Sequence, residues 1–309
     1  MSAAVKAPDW HARRLSVVGA SEVAALFGVQ QPYQMGLFEL WHVKAGLVPA
    51  PDVQGERIEW GNDLEAAIAS VAARRQGWII EAGDHVTDST TPGLGATLDF
   101  RILGGHDEIG HGVLEIKNVD WLQHRAKWTD AEPPEHILLQ LQHQLAASGC
   151  AWGYVAALIG GNRLELYRFE ARPKLIAEIR RRVTAFWQSI AEGKPPAVDG
   201  SDGTFRTLAA LHPELTPDEI DLRGSNEFGV ACHAAVAAAD RRKAAEKEED
   251  EAKARVLALL DGHKTGWDGA WRASVAVTPA KPDRLAEPGE IIKGRKEARR
   301  LTIKETVSA

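Results

Sequence analysis

Apolar positions recur at helical spacing three times before residue 80. Ser21-Glu22-Val23-Ala24-Ala25-Leu26-Phe27 opens on a serine suited to cap a helix, continues on an apolar stripe and meets Gly28 as a terminator. Leu37, Leu40 and Trp41 mark a second helix, roughly Met35 to Ala45. Leu64, Ile68 and Val71 mark a third, expected to begin after Gly61 and to run to Arg75. The pattern then shortens to strand-like runs separated by glycines: Trp78-Ile79-Ile80, Gly95 to Ile102, and Val113 to Val119. Pro133-Pro134 introduces a helix over Glu135 to Ser148, ended by Gly149. Trp152 to Ile159 and Leu164 to Phe169 form a hairpin across Gly160-Gly161-Asn162, and a long helix follows from Pro173 to Glu192. Helices, a mixed sheet, a helix across it, two more strands and a closing helix make an α/β (α+β) unit over residues 1–199.

The character changes beyond Gly193-Lys194-Pro195-Pro196. Residues 200–309 read as an extension: an alanine-rich, charged helical segment over 226–260, then strands at Ala270 to Val277 and Arg300 to Lys304. Residues 201–309 carry 18 basic and 19 acidic side chains, net −1, so on balance the extension adds no pull on DNA. Trp267 and Trp271 lie four apart, and packing of a small terminal sheet is preferred over base stacking as their role.

At 44% hydrophobic and 26% charged residues the composition is that of an ordinary globular protein. No apolar run approaches the roughly 20 residues that span a bilayer, and Met1 to Lys6 lacks the apolar core of a signal peptide. A cytoplasmic location and no membrane partner are expected. Two cysteines, Cys150 and Cys232, are too few to build an iron–sulfur cluster from cysteine alone, and none is expected. The net charge of −6 disfavours a protein that coats DNA, yet is compatible with an enzyme that spends carboxylates on metal inside a local basic channel.

Gly112-Val113-Leu114-Glu115-Ile116-Lys117-Asn118 bears the densest chemistry. In a strand Glu115 and Lys117 point to the same face. The chain holds two more Glu-x-Lys triplets, Glu192/Lys194 and Glu251/Lys253, in a Gly-Pro-Pro exit and on a charged helix, where a solvated surface is the natural reading. Only Glu115/Lys117 lies in a strand with an acid, Asp99, at the end of the preceding one. A structural salt bridge is the alternative. Two carboxylates and the backbone carbonyl of Ile116 suit Mg²⁺, which takes hard oxygen ligands and keeps several waters. One or two such ions would activate water against a phosphodiester, with Lys117 orienting or activating that water and stabilising developing charge. Glu65 is expected on the first turn of its helix, at the edge of the apolar stripe. Gln140, His143 and Gln144 share a helical face at i, i+3, i+4 spacing.

The blocks Ser21-Glu22-Val23-Ala24, Glu59-Trp60-Gly61-x-x-x-Glu65, Ala96-Thr97-x-Asp99, Glu115-x-Lys117 and Gln140-x-Gln142-His143 occur in one order. Together they resemble the YqaJ-type viral recombinases, lambda-exonuclease-like nucleases of the PD-(D/E)xK superfamily, over about residues 9 to 196. The resemblance implies a restriction-endonuclease-like core and a Mg²⁺-dependent nuclease, with Mn²⁺ able to substitute. It implies digestion of double-stranded DNA ends 5′ to 3′, a single-strand annealing protein as partner, and a ring-shaped homotrimer. It also implies a phage or prophage origin in a bacterial host cell. By the same matching Asp99 and Glu115 are metal ligands, Lys117 the catalytic lysine, and Glu65 and Gln140 supporting residues. Arg14, four residues after Trp10, and Ser21 resemble a 5′-phosphate pocket, which an arginine beside a helix N-terminus would suit; Thr97 and His143 are further candidates for DNA contact. The chain departs from the pattern at Leu98, where proline is usual, and at Phe100, where glycine is common. An endonuclease using the same site and a non-catalytic DNA-binding protein are the competing readings.

Overall fold

The computed structural model describes residues 13–52, 55–105, 109–128, 132–214, 216–281, 284–285, 291–292 and 298–305, with backbone alone from 285 onward. The chain divides into two compact units, Met1–Leu215 and Thr216–Ala309.

The first unit is built on a five-stranded sheet of β1 (Ile79–Ala82), β4 (Phe100–Gly104), β5 (Gly112–Val119), β6 (Trp152–Ile159) and β7 (Arg163–Glu170), in spatial order β1-β4-β5-β6-β7. Only β5 and β6 run parallel, because the connection between them is long enough to carry helices across the sheet; the other pairs are antiparallel. β2 (His85–Thr87) and β3 (Gly95–Thr97) form a separate antiparallel pair. Helices α1 (Val23–Phe27), α2 (Leu37–Lys44) and α3 (Glu56–Gln76) precede the sheet. α4 (Trp121–Lys127) and α5 (Glu135–Ser148) lie between β5 and β6, and α6 (Pro173–Ala191) follows β7. α7 (Asp202–Leu211) packs with this unit, its Arg206 guanidinium 3.1 Å from the buried Glu39 carboxylate of α2, so the unit reaches past the expected boundary at 199.

Strand alternation decides which helices cover which face. Val113 and Val119 of β5, with Val155, Ala157 and Ile159 of β6, join a core with α1, α5 and α6. Leu114 and Ile116, with Ala156, pack instead against Ile68, Ala69, Ala72 and Ala73 of α3. Both faces are buried, as in a layered α/β unit. α5 begins and ends where the sequence predicts, its C-terminus closed by Gly149 at φ 72°. α3 starts earlier than expected, at Glu56, because two first-turn acids favour its N-terminus and Gly61 is tolerated within it. Glu65 therefore sits in the middle of a 21-residue helix, not on its first turn.

The second unit holds α8 (Phe228–Leu260) and a three-stranded antiparallel sheet of β8 (Thr265–Trp267), β9 (Trp271–Thr278) and β12 (Ala298–Glu305), in order β12-β9-β8. β10 (Arg284–Leu285) and β11 (Ile291–Ile292) pair separately. Of the described helices, none is long and apolar enough to cross a membrane.

Candidate active site

The run expected as one strand from Gly95 to Ile102 is broken in the structure. β3 ends at Thr97, β4 begins at Phe100, and Leu98-Asp99 turns between them. The cause is a close crossing with Gly83-Asp84. Gly83 N donates to the Asp99 carbonyl at 2.9 Å and Leu98 N to the Asp84 carbonyl at 3.2 Å. A Cβ on Gly83 would lie 2.2 Å from the Leu98 carbonyl oxygen, so only glycine permits the approach. Leu98 supplies an N–H that proline would lack, which gives the departure at this position a structural reason.

That break opens a notch between β4 and β5. The two strands pair only from Phe100/Leu114 to Ile102/Gly112. One step further the Ile116 N–H finds the Asp99 carboxylate instead of a strand, with Oδ2 accepting at 2.8 Å. The N–H and C=O of one strand residue face the same edge, so the Ile116 carbonyl faces this notch too. Glu115 and Lys117 flank Ile116 on the opposite sheet face, the one covered by α5.

Glu115 is 1% exposed, and both its carboxylate oxygens are engaged. Oε1 accepts from the Lys117 ammonium at 2.5 Å and from Gln140 Nε2 at 2.6 Å; Oε2 accepts from Gln144 Nε2 at 2.5 Å. Gln140 closes the ring by accepting from Lys117 Nζ at 3.1 Å. Burial would lower the Lys117 pKa, but the Glu115 and Asp99 charges outweigh it and hold the ammonium above its ordinary value. Burial, then the Glu115 charge, raise Asp99 well above the usual carboxylate range; Glu65 adds to the rise, while Lys117 and the Ile116 N–H oppose it. Glu65 reaches Asp99 electrostatically from α3, on the far side of the sheet from α5. Negative charge from both layers therefore acts on Asp99.

A magnesium ion is the group this donor set would implicate. Among the described residues no three His, Cys, Asp or Glu side chains close round one point. Mg²⁺ asks for less: one or two carboxylates, hard oxygens and its own waters. Asp99 and Glu115 supply carboxylates and Ile116 a carbonyl, and the burial and like charge that raise Asp99 are what a cation offsets. The residues fit the ion.

A cleft of about 1680 Å³ leads here. Lys117, Gln140 and His136 line one part of it, and Arg14, Ser21, Glu22 and Lys44 another. The expected phosphate pocket is therefore continuous with Lys117, but it is built differently from the expectation. Ser21 is exposed and makes no cap; α1 is only five residues long and its N-cap is Glu22. The Glu22 carboxylate accepts from Gly19 N at 2.7 Å, from Lys44 Nζ at 2.7 Å and from Arg14 at 3.3 Å. Lys44, its side chain 2% exposed, also donates to the Arg14 carbonyl at 2.6 Å. Burial lowers its pKa, followed by opposing pulls from Glu22 and a smaller push from Arg14. Glu22 and Lys44 thus organise Arg14, and sequence reasoning assigned neither a role. Trp10 lies outside the described residues.

Two other candidates fall elsewhere. Thr97 is exposed at the end of β3, in register with His85 and two residues before Asp99. His143 is a correction: it is fully buried and cannot touch DNA. Its Nε2 lies 3.0 Å from both the Val18 and Gly95 carbonyls, so it donates there and ties α5 to β3 and the segment before α1. Burial pushes its pKa down to about 4, and the ring is neutral. The polar face of α5 is interior. Gln142, also fully buried, donates to the Glu170 carbonyl at 2.8 Å and accepts from Arg172 N at 2.7 Å. Gln144, seen in the sequence only as a face-mate of Gln140, proves to be the second amide on Glu115. His136 was missed outright; burial first, then Lys117 and Lys127, push its pKa down to about 4.

A mixed sheet with helices on both faces, split at an acid beside a strand Glu-x-Lys, has the architecture of the restriction-endonuclease-like fold. Known proteins resemble the chain in sequence and in fold. Residues 9–151 match the model of the YqaJ-like viral recombinase domain. The chain is 25% identical over 307 residues to the uncharacterized protein YqaJ of Bacillus subtilis (strain 168), a match covering 96% of this chain and 94% of that protein. The fold matches the crystal structure of an alkaline exonuclease, LHK-Exo from Laribacter hongkongensis, with a TM-score of 0.50 and 24% identity. That match covers 61% of this chain and 94% of the exonuclease; the same protein in complex with dAMP matches equally. The extension thus has a counterpart along YqaJ, while the exonuclease fold is nearly spanned by three-fifths of this chain.

Proposed function

We propose that this protein is a Mg²⁺-dependent deoxyribonuclease that digests double-stranded DNA from its ends, 5′ to 3′, and leaves single strands for an annealing protein in phage-type recombination. The observation that carries the reading is the notch: Asp99 held by the Ile116 N–H, beside a buried Glu115 locked between Lys117, Gln140 and Gln144. Asp99, Glu115 and the Ile116 carbonyl would hold the ion, with Mn²⁺ as a substitute. Bound there, the ion would polarise the phosphoryl oxygen and acidify water.

The protein's own groups then have separable tasks. Gln140 and Gln144 donate to Glu115 and fix its rotamer, so its oxygens meet an incoming charge without reorganisation. Lys117, whose ammonium donates to Glu115 and Gln140, orients the attacking water and donates to a phosphate oxygen. Glu65 adds negative charge from the opposite layer. Arg14, held by Glu22, and Ser21 offer a guanidinium and a hydroxyl to a 5′-phosphate in the same cleft. By resemblance the working particle is a homotrimer, which a sizing measurement checks.

The test is digestion of linear duplex with 5′-phosphate or 5′-hydroxyl ends, beside covalently closed circles, with Mg²⁺. The reading expects faster loss of phosphorylated ends, dependent on Arg14, and intact circles. Cleaved circles would make the protein an endonuclease. No Mg²⁺-dependent cleavage of any DNA would leave the non-catalytic reading.

A further inference from the structure

The net charge of the extension is close to zero, but its strand register separates the charges by face. Trp267 is paired with Arg272, and Arg272 with Lys304. Alternation puts Thr265, Ser274 and Thr302 on the same face, followed by Ala276 with Arg300 and Thr278 with Ala298. This face bears one aromatic residue, three cations, four hydroxyl residues and no carboxylate at any ladder position. The other holds Gly266, Ala273, Val275, Val277, Leu301 and Ile303, with Trp271, Arg299 and Glu305 at its ends.

The apolar face is covered by α8 at Gly266 and open at Trp271 and Val277, each 51% exposed. A Cβ on Gly266 would lie 2.6 Å from Leu260 Cδ2, so the end of α8 covers the sheet there, and Leu260 is 7% exposed. The basic face is turned outward: Trp267 is 79% exposed and Arg272 is exposed beside it. Trp267 and Trp271 fall on opposite faces, so the expectation that both pack the terminal sheet fails for Trp267. A large indole left in water opposite an arginine, on a sheet face free of acids, does not serve packing.

We propose that the outer face of the β8-β9-β12 sheet is a binding platform for single-stranded nucleic acid, with Trp267 stacking on a base and Arg272 beside it meeting a backbone phosphate, at ladder positions whose β12 partners include Arg300 and Lys304. Stacking plus positive charge is the chemistry that holds single strands without reading sequence. A duplex hides its base faces and gives the indole nothing to stack on. A protein partner would be expected to use apolar positions, and the apolar ladder positions belong to the other face, on which Leu260 packs at Gly266.

The test uses the full chain in EDTA and measures binding of a fluorescent oligothymidylate by anisotropy against salt. Trp267→Ala should weaken binding about tenfold. Arg272→Glu should also weaken it and make the slope of log affinity against log salt shallower by about one. Trp267→Phe should restore affinity to within about twofold of the parent, because a phenyl ring still stacks. All three residue changes are at exposed positions, and the initial rate on blunt duplex should be unchanged. Parent-like oligothymidylate affinity in both Trp267→Ala and Arg272→Glu overturns the proposal, and so does a Trp267→Phe variant as weak as Trp267→Ala. Absence of DNA cleavage by the parent would overturn the nuclease reading alone, since binding is read without metal.

Discussion

Glu115/Lys117 and Glu192/Lys194 are the same triplet at nearly the same separation, 2.5 Å and 2.8 Å. Their surroundings make them different objects. Glu192 and Lys194 have side chains 40% and 75% exposed at the end of α6, where water and salt screen the pair. Glu115 is sealed under α5 with two glutamine amides on its oxygens, and its lysine faces a second acid across a split in the sheet. Burial turns an ion pair into a preorganised charge array, because donors aimed at a charge cost no reorganisation when the reaction needs them. The Glu251/Lys253 triplet does not even pair internally: Lys253 reaches Glu249 and Lys247 reaches Glu251 along one exposed helix.

The comparison can be broken most sharply with one substitution on each side. Lys117→Ala should lower Mg²⁺-dependent cleavage roughly 10³-fold, the scale for loss of a donor at a reacting charge, while Lys194→Ala leaves the rate unchanged; time courses on labelled duplex read both. Next in size is an effect on stability. His143 has its pKa pushed down from 6.5 to about 4. The folded state prefers the neutral ring, so the unfolded chain binds the extra proton as pH falls. The stabilisation is complete above pH 6.5 and is lost progressively towards pH 4, by about 3 kcal/mol. Urea melts across that range should show the loss, and His143→Gln should flatten it.

Gln144→Leu is the finer probe of the array. It removes the donor on Glu115 Oε2 and should cost about 10- to 100-fold in activity or in Mg²⁺ required for half-maximal rate. Titration of the rate with Mg²⁺ separates the two, and no change would mean that the amide merely fills space. The smallest effect belongs to the exposed pair: Glu192→Ala should shift stability by no more than about 0.5 kcal/mol in a thermal melt.

Much of this was legible in the chain. Alternation in β5 put Glu115 and Lys117 on one face, and helical spacing put Gln140 and Gln144 on another that meets it. What was not legible depends on contacts between distant segments. Nothing in Gly95 to Ile102 announces a break, because the break is imposed by Gly83-Asp84 crossing at Leu98-Asp99. The partners of His143 and Gln142 on α5, the carbonyls of Val18, Gly95 and Glu170, are backbone groups and leave no trace in residue type, so His143 read as a DNA contact. Glu22 and Lys44 were hidden for a related reason: their pairing joins two helices through a side-chain contact with no periodic signature. In the extension, composition averaged away what strand register separates by face.

The central claim is that the split at Asp99, facing Glu115 and Lys117, is a metal-dependent cleavage site for DNA. Digestion of end-labelled linear duplex by the parent and by Asp99→Asn, each with Mg²⁺ and with EDTA, tests it most directly. Mg²⁺-dependent release of nucleotides is expected from the parent and none above the EDTA background from Asp99→Asn, with both chains equally folded. Parent-like digestion by a folded Asp99→Asn chain would contradict it.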